Sequence, residues 1–116
     1  MLGPRQTLSA RRHKLVWFVP REALEATRDA VFGAGAGVIG NYTRCSWYTA
    51  GTGTFRGGEG SDPDVGEAGR EERTAELRVE TVVPAEKTGE VVRALLAAHP
   101  YEEVAYELYP LVDLES

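Results

Sequence analysis

The sequence has one cysteine, two histidines and no long apolar run. A single cysteine, Cys45, cannot form an internal disulfide, which favours a cytoplasmic protein. The longest apolar stretch, residues 15–20, has the length of a strand, whereas a membrane-spanning helix needs about 20 apolar residues. No apolar segment of the signal-peptide type precedes it. We therefore expect neither a membrane partner nor a secreted protein.

An excess of positive charge is also absent. The 116 residues include 13 Lys and Arg against 18 Asp and Glu, which gives a formal net charge of −5. Nucleic-acid-binding proteins usually present a basic face, so nucleic acid is not an expected partner. The length and the 42% of hydrophobic residues are those of one globular domain.

Apolar periodicity predicts four strands and two helices. Strands are expected near residues 14–20, 42–49, 75–83 and 104–109. Helices are expected near 21–34 and 85–98, because each of these segments follows a proline and has acidic residues in its first turn. The domain is expected to span residues 13–111, between a disordered tail at 1–12 and a C-terminal tail at 112–116.

The two halves of the sequence repeat each other without a gap. Val19 and Pro20 correspond to Val83 and Pro84, and the same offset relates Tyr42 to Tyr106. Each half consists of an apolar strand, a Val-Pro pair, a helix with an acidic start and a strand with aromatic residues. Two right-handed βαβ units of this kind form a four-stranded antiparallel sheet with both helices on one face. The sequence therefore predicts an α+β, ferredoxin-like βαββαβ fold.

A sheet covered by helices on one side leaves its other face open. In the first strand Val16 and Phe18 point to one face, and Leu15 and Trp17 point to the other. Only one of these apolar sets can meet the helices, so Val16, Phe18 and Val82 are expected to be exposed in a single chain. Because an open apolar face usually marks an interface, we expect self-association. The alternative is that the tail or a long loop covers this face.

Several short motifs carry a resemblance to a known family. They are 35–42 (GAGVIGNY), 45–47 (CSW), 51–55 (GTGTF), 59–60 (EG) with Pro63 and 66–67 (GE), 78–84 (RVETVVP) and 99–106 (HPYEEVAY). In this order, over about residues 13–111, they resemble the PII/CutA-like insert domain of Nif-three-like proteins, including free-standing copies. The turn at residues 99–102 is also similar to CutA proteins, and the topology is similar to PII proteins. The resemblance to these two trimeric families implies a homotrimer.

The same resemblance implies no metallohydrolase activity. Larger Nif-three-like proteins place a two-metal site in flanking domains, and the ligands of those domains are missing from this sequence. We therefore expect no cofactor and no hydrolysis of nucleotides or phosphoesters. An enzyme with an active site between subunits remains an alternative.

A glycine-rich segment at residues 51–69 is predicted to form a long functional loop, with a short strand in its first part as an option. By resemblance, PII proteins carry their effector-binding loop here. Exposed glycine amides would suit a small anionic ligand, although the segment is not a P-loop. The alternative is an arm that packs on a neighbouring subunit. The candidate ligand-binding residues are Gly51, Thr52, Gly53, Thr54, Phe55, Gly60, Gly66, Glu67, Arg78 and Glu80.

Arg78 and Glu80 share one face of a strand, where they either contact a ligand or form an ion pair. Cys45, His99 and Glu102 are candidate ligands for a divalent metal, since thiolate and imidazole suit zinc or copper. A structural role for His99 in its turn is the other interpretation. The leading hypothesis is a non-enzymatic oligomeric module that binds a small ligand or a protein partner, and a CutA-like metal-binding protein is the alternative.

Overall fold

A computed structural model describes residues 7–58 and 69–115 of the chain. The elements follow the order β1 (Thr7–Val19), α1 (Leu24–Gly33), β2 (Ser46–Arg56), β3 (Glu71–Pro84), α2 (Thr88–Ala98) and β4 (Tyr106–Glu115). A short 3-10 turn precedes each helix, at Arg21–Ala23 and Ala85–Lys87. The βαββαβ order confirms the predicted α+β, ferredoxin-like fold.

The four strands form one antiparallel sheet in the order β2-β3-β1-β4. The two strands that start the sequence repeats, β1 and β3, pair in its centre, with Leu15 opposite Thr81 and Trp17 opposite Val79. Leu15, Trp17 and Val79 belong to the core beneath the two helices, to which Val31 of α1 also contributes. The apolar residues on both faces of β1 are thus consistent with its central position in the sheet.

The structure matches the sequence repeat for the first strand, the Val-Pro pair and the helix of each half, but not for the second strand. The offset that relates Pro20 to Pro84 also relates the starts of the two 3-10 turns and of the two helices, but it would place the start of β4 at Pro110 instead of Tyr106. The difference lies before β2, where Ile39 and Tyr42 exchange both of their backbone hydrogen bonds around a two-residue turn. The prediction that β2 begins at Tyr42 is therefore wrong.

The outer ends of β1 and β4 correct the predicted tails. β1 begins at Thr7, inside the expected disordered tail 1–12, and β4 continues through Pro110 to Glu115, inside the expected tail 112–116. Each end supplies the backbone partner of the other, since Thr7 pairs with Glu115. Pro110 is tolerated because β4 is an edge strand. The structure does not describe residues 1–6 and 116.

The first part of the glycine-rich segment continues β2, and residues 59–68 lie outside the described residues. β2 and β3 pair without interruption from Ser46↔Thr81 to Arg56↔Glu71, so the predicted loop 51–69 is in its first part a strand. We call the part of this hairpin beyond the Ala50↔Leu77 pair, residues 51–58 and 69–76, the arm. Within the described ranges, neither helix is long and apolar enough to cross a membrane.

Candidate functional site

A cleft of about 520 Å³ lies where the arm leaves the body of the protein. β1 ends at Val19, which pairs with Leu77, whereas β2 and β3 continue beyond that pair. The end of β1 therefore leaves a notch beside the arm. Residues 50–51 and 74–77 form the strand side of the cleft, and residues 20–23 and 100–101 form its turn side.

Small residues form most of the strand side. Ala50 pairs with Leu77 and Thr52 with Ala75, so Ala50, Ala75 and Leu77 project from the face that carries the core. Both alanines are exposed, and a Cβ built on Gly51 has no heavy atom within 4 Å. The surface here is flat and open as far as Leu77.

His99 fixes one wall on the turn side. Its Nδ1 accepts a hydrogen bond of 3.2 Å from the backbone N–H of Tyr101, so its Nε2 carries the proton and donates to the Phe18 carbonyl at 2.7 Å. The side chain is only 7% exposed, and burial lowers the pKa of His99. A neutral imidazole thus holds the turn with Pro100 and Tyr101 against the end of β1.

The residues that line the cleft include one arginine and two glutamates. Arg21 and Glu22 are exposed on the turn after β1, and Glu76 is half-buried on β3. Burial raises the pKa of Glu76. The carboxyl group of Glu76 lies over Gly53, where a Cβ would collide with it, so glycine permits this close approach. Because Glu76 alternates with Ala75 along β3, its carboxyl group lies on the open face of the sheet and not in the cleft. Arg21 and Glu22 therefore leave the cleft without a net charge.

The predicted ligand-binding residues fall in three places. Gly51 lines the cleft, and Thr52, Gly53, Thr54 and Phe55 continue outward along the arm. Arg78 and Glu80 lie on the open face of the sheet, away from the cleft. Three further candidates, Gly60, Gly66 and Glu67, lie outside the described residues.

Arg78 and Glu80 form an ion pair in the structure, with 3.0 Å between Nε and Oε2. The guanidinium of Arg78 also lies 5.7 Å from the centre of the Phe18 ring, and the Lys14 ammonium lies 3.7 Å from Glu80. On the neighbouring strand, a hydrogen bond with Glu107 raises the pKa of Tyr109. Charged side chains therefore occupy the middle of the open face.

These charged side chains affect which apolar residues of the open face are exposed to solvent. Val16 is 1% exposed and Val82 is 9% exposed in the single chain, because the long side chains around them lie across the sheet. The exposed aromatic residues of the open face are Trp47, at 60%, and Tyr109, at 43%. The expectation that Val16 and Val82 are exposed is therefore wrong, Phe18 is half-buried, and Trp47 is exposed instead.

The candidate metal ligands Cys45, His99 and Glu102 do not come together. No group of three or more His, Cys, Asp or Glu side chains in residues 7–58 and 69–115 is arranged to hold a metal ion. Both ring nitrogens of His99 are already hydrogen-bonded to the backbone. Cys45 lies beside β3 instead, where its carbonyl accepts a hydrogen bond from Thr81. These contacts favour the structural interpretation of His99.

The sequence interpretation missed the turn side of the cleft. Pro20, Ala23, Pro100 and Tyr101 were treated only as helix boundaries and a family motif, not as binding residues. The sequence does contain a signal for the cleft. The Val-Pro pair ends β1 at Val19, whereas the alternating pattern of β3 begins at residue 75, before Leu77, the partner of Val19. The position of the cleft depends on the register between the strands, which is known only once the strands are paired in the structure.

No family model matches the sequence. A segment of a protein of Mycobacterium tuberculosis named "GTP cyclohydrolase 1 type 2 homolog" is 54% identical over 99 residues, which are 85% of this chain and 26% of that protein. A Bacillus subtilis protein of the same name is 44% identical over 98 residues, which are 84% of this chain and 26% of that protein. The chain thus spans about a quarter of the length of these relatives.

Solved structures agree with this relationship. A Bacillus cereus protein related to NIF3 has a TM-score of 0.79 and 45% identity over 90% of this chain and 26% of its own. CutA from Synechococcus elongatus has a TM-score of 0.67 at 18% identity, over 95% of this chain and 86% of its own. PII from Arabidopsis thaliana, with a TM-score of 0.52, shares the fold at 14% identity. The chain is therefore homologous to a segment of NIF3-related proteins, and this segment has the PII/CutA-like fold.

Proposed function

We propose that this chain is a non-enzymatic, oligomeric module that binds a small ligand in the cleft at the base of the arm. The cleft is the observation that carries the proposal, since its volume of about 520 Å³ lies within the range of small-molecule sites. Mostly apolar walls with few charged groups are typical of such sites. The arm supplies one side of the cleft, which links the glycine-rich segment to binding.

The chemistry at the cleft supports binding over catalysis. Covalent or acid–base catalysis needs a nucleophile or a general base within hydrogen-bond reach of the reacting group. In the part of the chain that the structure describes, the cleft lining contains no histidine or cysteine, and the ring nitrogens of the adjacent His99 are bonded to the backbone. The carboxylate of Glu22 is exposed to solvent on its turn, without the burial that tunes a general base. We propose that the chain does not hydrolyse nucleotides, whatever its longer relatives do.

The relatives suggest the setting of the module. Because this chain matches about a quarter of each protein, we propose that it corresponds to a PII/CutA-like insert domain of Nif-three-like proteins, acting in the cytoplasm. Association through the open face would bury Trp47 and Tyr109, and we propose a homotrimer, in line with the resemblance to PII and CutA proteins. A protein partner bound through the arm is the second candidate.

A thermal-shift screen of the intact chain tests the proposed function. The panel contains uncharged ring compounds, nucleotides, and zinc and copper ions. Any hit is repeated on Ala75→Leu, which fills the cleft from an exposed position, and on Thr54→Leu, which places a leucine on the same face of the arm outside the cleft. We expect an organic hit that Ala75→Leu abolishes and Thr54→Leu keeps.

The other results of this screen have definite meanings. A zinc or copper shift that both variants retain would contradict the proposed site and favour a CutA-like metal-binding protein. An organic hit that Ala75→Leu retains would place the ligand outside the cleft. A panel without any hit would reject small-ligand binding and leave the protein-partner function.

A further inference from the structure

We propose that the outer edge of β2, the side that faces away from β3, pairs antiparallel with the same edge of β2 in a second copy of the chain. This contact is separate from the open face of the sheet, which the proposed homotrimer would use. It would therefore join two such homotrimers.

The outer edge of β2 carries free backbone groups. The carbonyl of Val82 in β3 accepts a hydrogen bond from the N–H of Gly37, which is itself bonded to Cys45 just before β2. Val82 therefore points its backbone groups to the β2 side, and so does every second residue of β3, whose partners in β2 are the odd-numbered residues. The even-numbered residues of β2 point their N–H and C=O groups away from the sheet, and among the described residues no other backbone group pairs with them. They include Ser46, Tyr48, Ala50, Thr52 and Thr54.

β2 lacks the features that protect an edge strand from pairing. Proteins usually keep such an edge apart from other strands with charged side chains, prolines or bulges. Residues 46–55 include no charged residue and no proline, and the register of β2 with β3 is uninterrupted. The other edge strand, β4, carries Pro110 and the acidic residues Glu107, Asp113 and Glu115. Of the two edge strands, β2 is therefore the one open to another strand.

The two halves of β2 are complementary in size. The first half exposes Trp47 and Tyr48, at 60% and 45%, whereas residues 51–54 consist only of glycine and threonine. A Cβ built on Gly51 has no heavy atom within 4 Å, so the space above this glycine is open. When the strand meets its own copy antiparallel, the aromatic half of one lies beside the glycine half of the other, and an aromatic ring can cover a glycine across the strands. A parallel pair would set glycine beside glycine and leave that backbone uncovered.

Pairing along β2 brings no like charges together, because residues 46–55 are uncharged. Tyr48 pairs with the core residue Val79 and lies on the helix side of the sheet, whereas Trp47 lies on the open face, so an added strand contacts both exposed rings. A contact of one edge with its own copy is closed by a two-fold axis. The pairing therefore joins two copies and stops there.

A proline at an outward-pointing position of the intact chain tests this pairing. Thr52→Pro removes an N–H from the outer edge only, so the bonds between β2 and β3 remain. Light scattering after gel filtration should give this variant half the mass of the parent, and circular dichroism should show the same fold. Val112→Pro is the matched control on β4. Since Ala105 accepts a hydrogen bond from Phe18, the odd-numbered residues of β4 face β1 and Val112 faces outwards, so this proline should leave the mass unchanged.

The measured masses distinguish the contacts from one another. An unchanged mass in Thr52→Pro would overturn the pairing of β2. A loss of mass in Val112→Pro as well would show that β2 pairs with β4 of the next copy, and would overturn the self-pairing. The halving does not depend on the homotrimer. A Thr52→Pro variant with the mass of three chains supports both contacts, whereas a single-chain variant of a two-chain parent supports the edge contact and rejects the trimer.

Distances between labelled copies test the direction of the strands without a proline. Cys45→Ser removes the only cysteine, after which Thr52→Cys, Thr54→Cys or Arg56→Cys carries one spin label. In an antiparallel pair the shortest distance between two copies of the label should increase from residue 52 to residue 56 by roughly 7 Å for each residue, because each strand advances about 3.3 Å in opposite directions. Equal distances at the three positions would mean parallel strands and would overturn the proposal.

Discussion

Trp17 is the largest fully buried side chain of the described residues, and a hydroxyl group accepts a hydrogen bond from its indole N–H. Nε1 donates to Oγ1 of Thr27 at 3.0 Å, and the Thr27 hydroxyl shares its one hydrogen between the carbonyls of Ala23 and Leu24 in a bifurcated bond. Thr27 is itself fully buried. A polar contact of this kind joins β1 to α1 inside an otherwise apolar core.

Replacing this hydroxyl should destabilise the protein. Thr27→Val keeps the shape of the side chain but leaves the indole N–H without an acceptor, which costs about 1–3 kcal/mol. Thr27→Ser keeps the hydroxyl and loses one methyl group, worth about 0.8 kcal/mol. Urea unfolding should therefore rank Thr27→Val below Thr27→Ser in the free energy of unfolding. The reverse order would show that the indole contact contributes little.

His99 makes the stability depend on pH. Above the usual histidine pKa of about 6.5, the ring is neutral in both the folded and the unfolded chain. Burial lowers the pKa of His99 in the folded protein, so on acidification the unfolded chain takes up a proton first. The free energy of unfolding should therefore fall as the pH drops through 6.5 towards the lower, folded pKa.

The variant His99→Gln tests this source of pH dependence. Glutamine can still donate to the Phe18 carbonyl but does not titrate. The variant should therefore be about 1 kcal/mol less stable than the parent at pH 8, and its free energy of unfolding should fall less than that of the parent between pH 7 and pH 5. Urea unfolding at several pH values measures both effects. Parallel curves for the variant and the parent would exclude His99 as the titrating group.

At the scale of elements, the sheet extends past its helices at both ends. β2 and β3 form the arm at one end, and the first residues of β1 pair with the last residues of β4 at the other, with Leu8 opposite Leu114. The helices lie over the middle, where β1 pairs with β3. The side chains of the arm are exposed on the face that carries the core and mostly half-buried on the open face, so the arm adds little to the core.

The outer arm, which we define as residues 54–73, should therefore be removable without loss of the fold. Residues 54–73 are replaced by Asn-Gly, which suits a two-residue hairpin turn, so that Gly53 and Thr74 remain a closing pair. We expect a melting temperature within a few degrees of the parent, because a shorter loop changes the closure entropy only slightly. Circular dichroism measures this.

The same variant tests whether the outer arm takes part in binding. Ligand affinity in the cleft should fall if the outer arm contributes to the ligand site, and should persist if only the base of the arm is needed. We expect weaker binding of any ligand that the thermal-shift screen identifies. An unfolded variant would show that the arm is structural and would contradict the functional role given to it.

On the scale of the whole molecule, the proposed association of copies would use the open face of the sheet. Its centre is filled by charged side chains, and Trp47 projects from β2 at its side, opposite Glu80. A tryptophan exposed in this way is a typical anchor of a protein interface. The proposed homotrimer would bury it.

Substitution of Trp47 should therefore shift the oligomeric state. Trp47→Gln removes the anchor from an exposed position, so the single chain should still fold, and light scattering after gel filtration should show a smaller mass than for the parent. Tyr42→Gln is the matched control, since Tyr42 is 75% exposed and lies directly after the two-residue turn that precedes β2. Phe18→Glu, next to Arg78 on the same face, should act like Trp47→Gln. An unchanged oligomer in both open-face variants would reject this interface.

Local patterns in the sequence determined the elements and their order. The repeated strand, Val-Pro pair and helix start reappear in the structure at matching positions, with α1 starting at Leu24 and α2 at Thr88, because a proline and the acids behind it act on their own segment. The two strands with the strongest apolar character, β1 and β3, became the central pair. The sequence was thus sufficient for the fold class and for the buried Trp17.

Tertiary structure alone decided the ends of the strands and the position of the cleft. Thr7 and Glu115 are strand residues because each pairs with the other, and neither segment shows a strand pattern by itself. The cleft exists because β1 stops opposite Leu77 while β2 continues with β3, which is a matter of register. Val16 is buried because neighbouring charged side chains cover it. Pairing, register and side-chain cover depend on residues distant in sequence, and a pattern within one segment does not contain them.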